Sequence, residues 1–314
     1  MEESKSLNRR KFIKNIAGLG ALASVASTTD LFAASSKDVK LTILHTNDVH
    51  SRIEPFPMDG SRYQGLGGTA RRSTLLQKIR QQEKNVMLFD AGDMFQGTPY
   101  FNMFDGQVEL EIMSKLKYDA GTFGNHEFDN GIPGILKHFD KANFPFITSN
   151  YDFSKTPLAG KTKEYLIFER EGVRIGVFSL GIDIEGLVDP KNYKDLIYLD
   201  PLKVANRLVP MLKNQKKCDI VICLSHLGYS YNTDKISDLR LASLTKDIDL
   251  IIGGHTHTYL EKPTEVKNAE GKTVIVNQCG YGGVVLGRID FTFNKRTKSK
   301  KIAYNNYIIN NNIV

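Results

Sequence analysis

The residues of this chain that can do chemistry fall in five short clusters: Asp48-x-His50, Gly92-Asp93, Gly124-Asn125-His126-Glu127-Phe128-Asp129, His226 and His255-x-His257. They hold five of the seven histidines. Together they offer carboxylate and amide oxygens and imidazole nitrogens but no sulfur, the donor set of Zn, Mn or Fe(II) rather than of a Cys-rich structural zinc site. A lone Asp-x-His or Gly-Asp says little, and a lone histidine is commonly a core or surface residue. Their position carries the weight, because each cluster closely follows a short, mostly apolar run. Asp48 and His50 follow residues 41–44, Asp93 follows 86–89, and Asn125 and His126 follow 120–123. His226 follows 220–224, and His255 and His257 follow 250–252. Glycines at 92, 124, 253 and 254 allow sharp turns beside them.

Residues 41–45, 86–89, 144–148, 220–224 and 250–252 read as strands. Helix-period segments lie between them at 69–82, 108–116, 133–142 and 201–216. Strand and helix alternation implies βαβ units, and in α/β folds the loops beyond the carboxyl ends of strands converge on one crevice. Two stretches read instead as hairpins: 165–180 turning at Glu171-Gly172, and 273–293 through Gly280-Tyr281-Gly282-Gly283. Two packed sheets flanked by helices therefore fit better than one parallel sheet. No internal repeat and no Pro- or Ser-rich linker divides residues 39–314.

Composition narrows the remaining classes. A chain of 314 residues with 41% hydrophobic content can form one large domain or two small ones. Its net charge of +7 falls to +5 beyond residue 35, with 37 basic against 32 acidic residues, too thin an excess to argue for nucleic acid. Lys295, Arg296, Lys298, Lys300 and Lys301 supply much of it and read as a solvated hairpin. Cys218 and Cys223 lie five apart on one apolar run, pointing opposite ways, and with Cys279 they are expected as buried free thiols.

Residues 1–35 read as a cleavable export signal: a basic stretch from Asn8 to Lys14, a short Ala/Gly-rich apolar run and small residues near Ala33-Ala34. Arg9-Arg10 followed by Phe12 and Lys14 resembles a twin-arginine signal, whose pathway moves folded proteins. The apolar run is short for a membrane span, which needs about 20 apolar residues. The expectation is a periplasmic or extracellular protein with no transmembrane segment after cleavage.

The ordered set of clusters resembles the calcineurin-like metallophosphoesterases, and the wording of 43–50, 90–98 and 124–130 is similar to their 5'-nucleotidase branch. The resemblance spans nearly all of residues 39–287. It implies a four-layer α-β-β-α sandwich over 38–314 and two divalent ions, Zn, Mn or Fe. One ion would take Asp48, His50, Asp93 and His257; the other would take Asp93, Asn125, His226 and His255, with Asp93 bridging. Such a pair activates a water and clamps the phosphoryl oxygens for in-line displacement, with no covalent phosphoenzyme. His126 would stabilise the phosphoryl group and leaving oxygen as cation or general acid, oriented by Asp129, which could alternatively cap the loop before Asn130-Gly131.

The implied substrate is a small phosphate ester, a nucleotide foremost. A phosphodiesterase, a pyrophosphatase and a broad phosphatase would use the same centre. The branch's second domain, which grips the base, is not found before Val314, so a separate substrate-binding chain is a further expectation. Tyr100, Phe101 and Tyr281 beside the motif loops are candidate pocket aromatics or plain core.

Overall fold

A computed structural model describes residues 38–313, so the expected signal at 1–35 lies outside the described residues. Two six-stranded sheets dominate it. The first is built on β1 (Asp38–Thr46), β2 (Val86–Asp90) and β3 (Ala120–Gly121), mutually parallel. The second contains β5 (Tyr165–Arg170), β6 (Val173–Gly181), β8 (Ile220–His226), β9 (Leu250–Gly253), β10 (Thr264–Lys267) and β11 (Thr273–Asn277), in the order β10-β11-β9-β8-β6-β5. The strands β12 (Val285–Asn294), β13 (Lys300–Tyr304) and β14 (Tyr307–Ile308) extend the first sheet beyond β1. A small ribbon of β4 (Tyr151–Asp152) with β7 (Ile197–Tyr198) stands apart.

Period-two alternation sets the layers. Val39, Leu41 and Ile43 of β1, Ile289, Phe291 and Phe293 of β12, and Val173, Ile175 and Val177 of β6 form one buried cluster with Ile220, Ile222 and Leu224 of β8, so the sheets pack face to face. The outer face of the first sheet is covered by α1 (Thr69–Gln82), α3 (Gln107–Lys115) and α4 (Gly131–Lys137), which follow the short α2 (Pro99–Phe104) or precede it in the chain. The outer face of the second packs Phe178, Val221 and Ile251 against Val204 and Leu208 of α5 (Pro201–Pro210) and Leu241 of α6 (Asp238–Leu244). Each such side chain taken from water contributes roughly 1.5–3 kcal/mol. The result is the four-layer α-β-β-α sandwich.

Local pattern misplaces several details. Residues 165–180 do form a hairpin, β5 with β6. Residues 273–293 do not: β11 pairs parallel to β9 in the second sheet, while β12 pairs antiparallel to β1 in the first. Residues 144–148 make only isolated bridges, and the segment 133–142 breaks after Lys137 into a separate turn at Phe139–Lys141. Cys218 precedes β8 rather than sharing it, and all three cysteines are free and buried. The basic run does cap a hairpin, β12 with β13, where Lys298 and Lys300 pair with Asp219 and Asp249. Among the described residues no helix is long and apolar enough to cross a membrane.

Candidate metal centre

The loops leaving β1 and β2 are laced together by their backbones: Asp48 N–H donates to Gly92 O at 2.9 Å, His50 N–H to Asp93 O at 3.0 Å and Ser51 N–H to Met94 O at 2.9 Å. This lacing forces a left-handed backbone on the ligand residues themselves, with φ of 49° at Asp48, 50° at His50 and 55° at Asp93. Beyond β9, His255 and His257 show the same, at 73° and 50°. Five strained non-glycine residues in one crevice mark a site where side-chain direction outweighs backbone comfort.

All nine residues named from the sequence converge here. Donor atoms of Asp48, His50, Asp93 and His257 form one group and those of Asp93, His226 and His255 a second, so Asp93 belongs to both. His50 Nε2 and His257 Nε2 face each other at 3.0 Å, and His257 Nε2 lies 3.4 Å from Asp48 Oδ1. His50 Nε2 is 3.7 Å from Asp93 Oδ2, to which His226 Nε2 approaches at 3.0 Å. Asn125 Oδ1 sits 2.9 Å from His255 Nδ1, joining the second group.

The residues fit metal ions on three grounds. His226 Nδ1–H donates to Ala91 O at 2.7 Å, which leaves its buried Nε2 without a hydrogen-bond partner and aimed at the Asp93 carboxylate. A cation between that nitrogen and the carboxylate oxygen, a metal ion where one is bound and otherwise a proton, satisfies both atoms. Next, Asp48 and Asp93 are buried, and among the described residues their ion-pair partners are imidazoles alone. Burial disfavours the Asp93 carboxylate, but His226, foremost, and the neighbouring imidazoles hold it well below the usual range. Likewise burial opposes a charge on His226, but Asp93 raises its pKa to about 10. Third, a Cβ on Gly124 would land against Asp93 Oδ1 and His226 Nε2, so the glycine keeps open the space an ion needs.

At the mouth stand His126 and Asp129, with side chains 33% and 27% exposed, His126 Nδ1–H donating to Asp129 Oδ2 at 2.8 Å. Burial works against the imidazolium, but the Asp129 hydrogen bond and then the Asp93 charge raise its pKa to about 9. A charged, oriented donor therefore faces the opening at neutral pH. The Asp129 backbone carbonyl is occupied separately, accepting from Asn192 Nδ2 at 2.8 Å.

Two residues of this centre escape the sequence reading. Glu127, inside the third cluster, is 1% exposed and accepts four backbone N–H groups: Asp93 at 2.9 Å and Gly124 at 2.6 Å on Oε2, Met94 at 2.9 Å and Phe95 at 3.1 Å on Oε1. Burial and the Asp93 charge push its pKa up. The four donors occupy every lone pair of the two oxygens, so it stands as a carboxylate. It clamps the Asp93 loop to the Asn125 loop. Asn47 is the other: its Nδ2 donates to Asp48 and to Gly280 O, and its Oδ1 accepts from Cys279 N–H. The available signal was position alone: Asn47 adjoins Asp48 and Glu127 adjoins His126 within the motif segments. Among the aromatics, Phe101 is core, Tyr100 bonds Glu54, and Tyr281 covers His50 and His257 with ring centroids 5.1 and 4.8 Å away.

Two ligand groups sharing one carboxylate, at the strand ends of two face-packed mixed sheets, define a metal-dependent hydrolase of phosphoric esters. The chain belongs to the calcineurin-like phosphoesterase family, whose profile matches residues 41–259. Members of that family use two divalent metal ions. The chain is 32% identical over 289 residues to a trifunctional nucleotide phosphoesterase of Bacillus subtilis, covering 82% of this chain and 18% of that protein. It is 33% identical over 301 residues to the venom 5'-nucleotidase of Naja atra, covering 87% and 54% respectively. The crystal structure of a 5'-nucleotidase precursor from Thermus thermophilus superposes with a TM-score of 0.79 at 32% identity, over 88% of this chain and 56% of that one. This chain thus spans about half the length of the nucleotidases it matches.

Proposed function

We propose that the chain is an exported phosphomonoesterase of the 5'-nucleotidase type, acting on nucleoside 5'-monophosphates or similar small phosphate esters. The observation that carries this is the Asp93 carboxylate shared by both ligand groups, with a charged His126 at the open side. Asp48, His50, Asp93 and His257 would hold one divalent ion, and Asp93, Asn125, His226 and His255 the other. When bound, the pair supplies Lewis acidity to the phosphoryl oxygens and an activated nucleophile. The chain's own part is then electrostatic: His126 donates to the transferring phosphoryl group and to the leaving oxygen, and Asp129 keeps it charged and aimed.

Phosphate release from AMP by the purified chain with Mn²⁺, beside an aryl phosphate and an aryl phosphodiester, tests this. Faster release from AMP and the aryl phosphate than from the diester is the expected result; preference for the diester would replace it with the phosphodiesterase alternative, and strong AMP selectivity by the chain alone would show that it needs no companion domain. Substrate choice rests on little within this domain, because Tyr281 is already packed against Phe56 and Tyr63 and Phe101 is core. The grip on the nucleoside therefore belongs to a companion domain, carried on a longer form of this protein or on a separate chain. Residues 1–35 act as the twin-arginine signal preceding a catalytic domain at 38–314. Replacing Arg9-Arg10 by lysines should retain the protein in the cytoplasm, and unchanged export would sink that assignment.

A further inference from the structure

Behind the laced loops of Asp48–Ser51 and Asp93–Met94 lies a small, partly open cavity of about 20 Å³. Its lining is mostly apolar, but the polar residues Ser51, Arg52, Arg72, Asp90 and Glu109 border it. Arg72 comes from α1 and Glu109 from α3, and both are buried, at 3% and 5% exposure. Neither is fully satisfied by the protein, although Ser51 stands close enough to Glu109 to favour its charged form. Arg72 Nε and Nη1, both Glu109 carboxylate oxygens, Ser51 Oγ and Arg52 Nε have no hydrogen-bond partner. Arg72 otherwise makes a single long contact, Nη2 to Thr69 Oγ1 at 3.4 Å, while its Nη1 abuts Gly283. Leaving a buried polar atom without a partner costs about 1–3 kcal/mol, so unpaired atoms on several residues that border one void point to an occupant.

The chemistry of the wall identifies the occupant. Two guanidinium groups and two carboxylates give a lining with no net formal charge, which favours neither an anion nor a cation. The unpaired atoms include both donors and acceptors, which a dipolar molecule with two of each can join. A space of this size holds one water or at most two. Asp90 connects the void to the centre: its Oδ1 accepts from Gly92 N–H at 2.9 Å, the turn that presents Asp93, and its Oδ2 accepts from Thr46 at 2.6 Å.

We propose that this cavity is a buried water site in which trapped water joins Arg72 to Glu109 and Ser51, and that Arg72 and Glu109 are positioning residues for the loops carrying Asp48, His50 and Asp93. They touch neither substrate nor ligand atoms. They act by filling and tying the floor on which both loops rest. Removing either water partner frees the floor to shift, and outer-shell losses of this kind typically weaken metal binding 10–100-fold. The inference rests on the metal reading of the centre.

Mn²⁺ titration and thermal unfolding of Glu109→Leu, Glu109→Gln and Arg72→Met variants, with a high-resolution crystal structure of the unaltered protein, test it. Glu109→Leu and Arg72→Met are expected to bind Mn²⁺ roughly 10-fold or more weakly, whereas Glu109→Gln, which keeps an acceptor for water, should retain most of the affinity. Unchanged affinity in Glu109→Leu, or equal loss in Glu109→Gln and Glu109→Leu, would overturn the positioning role. Should the variants fail to fold, density for water in contact with Arg72 and Glu109 upholds the site and a dry cavity refutes it. An unaltered protein that binds no Mn²⁺ but holds that water would refute the metal reading and leave the water site standing.

Discussion

Glu127→Gln is the sharpest test of how the centre is held. The substitution keeps shape and volume, so no cavity forms, but it replaces one acceptor oxygen by an NH₂ donor. Oε1 receives Met94 and Phe95, and Oε2 receives Asp93 and Gly124. Whichever way the amide turns, two buried N–H donors are left facing a donor. At about 1–3 kcal/mol for each unsatisfied group, the loss of stability is about 2–6 kcal/mol. For a domain of this size that corresponds to a fall in Tm on the order of 5–15 °C. A second consequence separates this from ordinary destabilisation. The clamp joins the loop of the shared ligand Asp93 to the loop of Asn125, so Mn²⁺ affinity should drop 10–100-fold, as for other outer-shell losses.

Thermal melts with and without Mn²⁺ read both effects, since the ion's stabilisation follows its affinity for the folded state. A variant melting within about 1 kcal/mol of the parent, with the same Mn²⁺-induced rise, would refute the reasoning. It would also show that Glu127 is protonated in the native protein, because glutamine imitates a neutral acid that already carries one donor.

Asp93→Asn removes the carboxylate common to both ligand groups, and both Mn²⁺ binding and phosphate release should vanish; full activity in this variant contradicts the shared-ligand assignment. Gly124→Ala needs no unusual backbone, but its methyl meets Asp93 Oδ1 and His226 Nε2, so the chain should fold at a cost of about 1–3 kcal/mol and lose metal-dependent activity. Retained activity there would mean the ions sit elsewhere. Asp129→Asn tests the charge on His126. Burial lowers the pKa of that imidazole while Asp129 raises it to about 9, so the cationic form is present below that pH and is lost as pH rises through it. Without the Asp129 charge the pKa falls towards the ordinary value of about 6.5, and the alkaline limb of kcat/KM should move to lower pH. An unmoved limb would assign that limb to another group.

The convergence of the candidate ligands was legible because each sits within a few residues of the strand that aims it. Asp48, Asp93 and His226 need only the local signal of an apolar run ending in a polar residue, together with their order along the chain. Sheet membership is not local. The runs 273–277 and 285–294 share period-two patterning and a glycine-rich connection, which is all that a hairpin requires of a sequence. What sends them to different sheets is the open edge each one finds, β9 for the first and β1 for the second. Both partners lie far away in the chain, beyond what local pattern can encode. The consequence reaches the centre itself. The connection between those strands crosses from one sheet to the other at the metal loops, where Gly282 N–H donates to Asp48 O at 2.8 Å, Cys279 N–H to Asn47 Oδ1 at 2.8 Å and Gln278 Nε2 to Gly254 O at 2.7 Å. The segment that reads as a turn is the tie between the β1 loop and the β9 loop, which carry Asp48 and His50 on one side and His255 and His257 on the other. Glu127 does the same for the β2 and β3 loops. The sequence marks the donor atoms one by one; the two sheets, joined at these ties, set the distances between them.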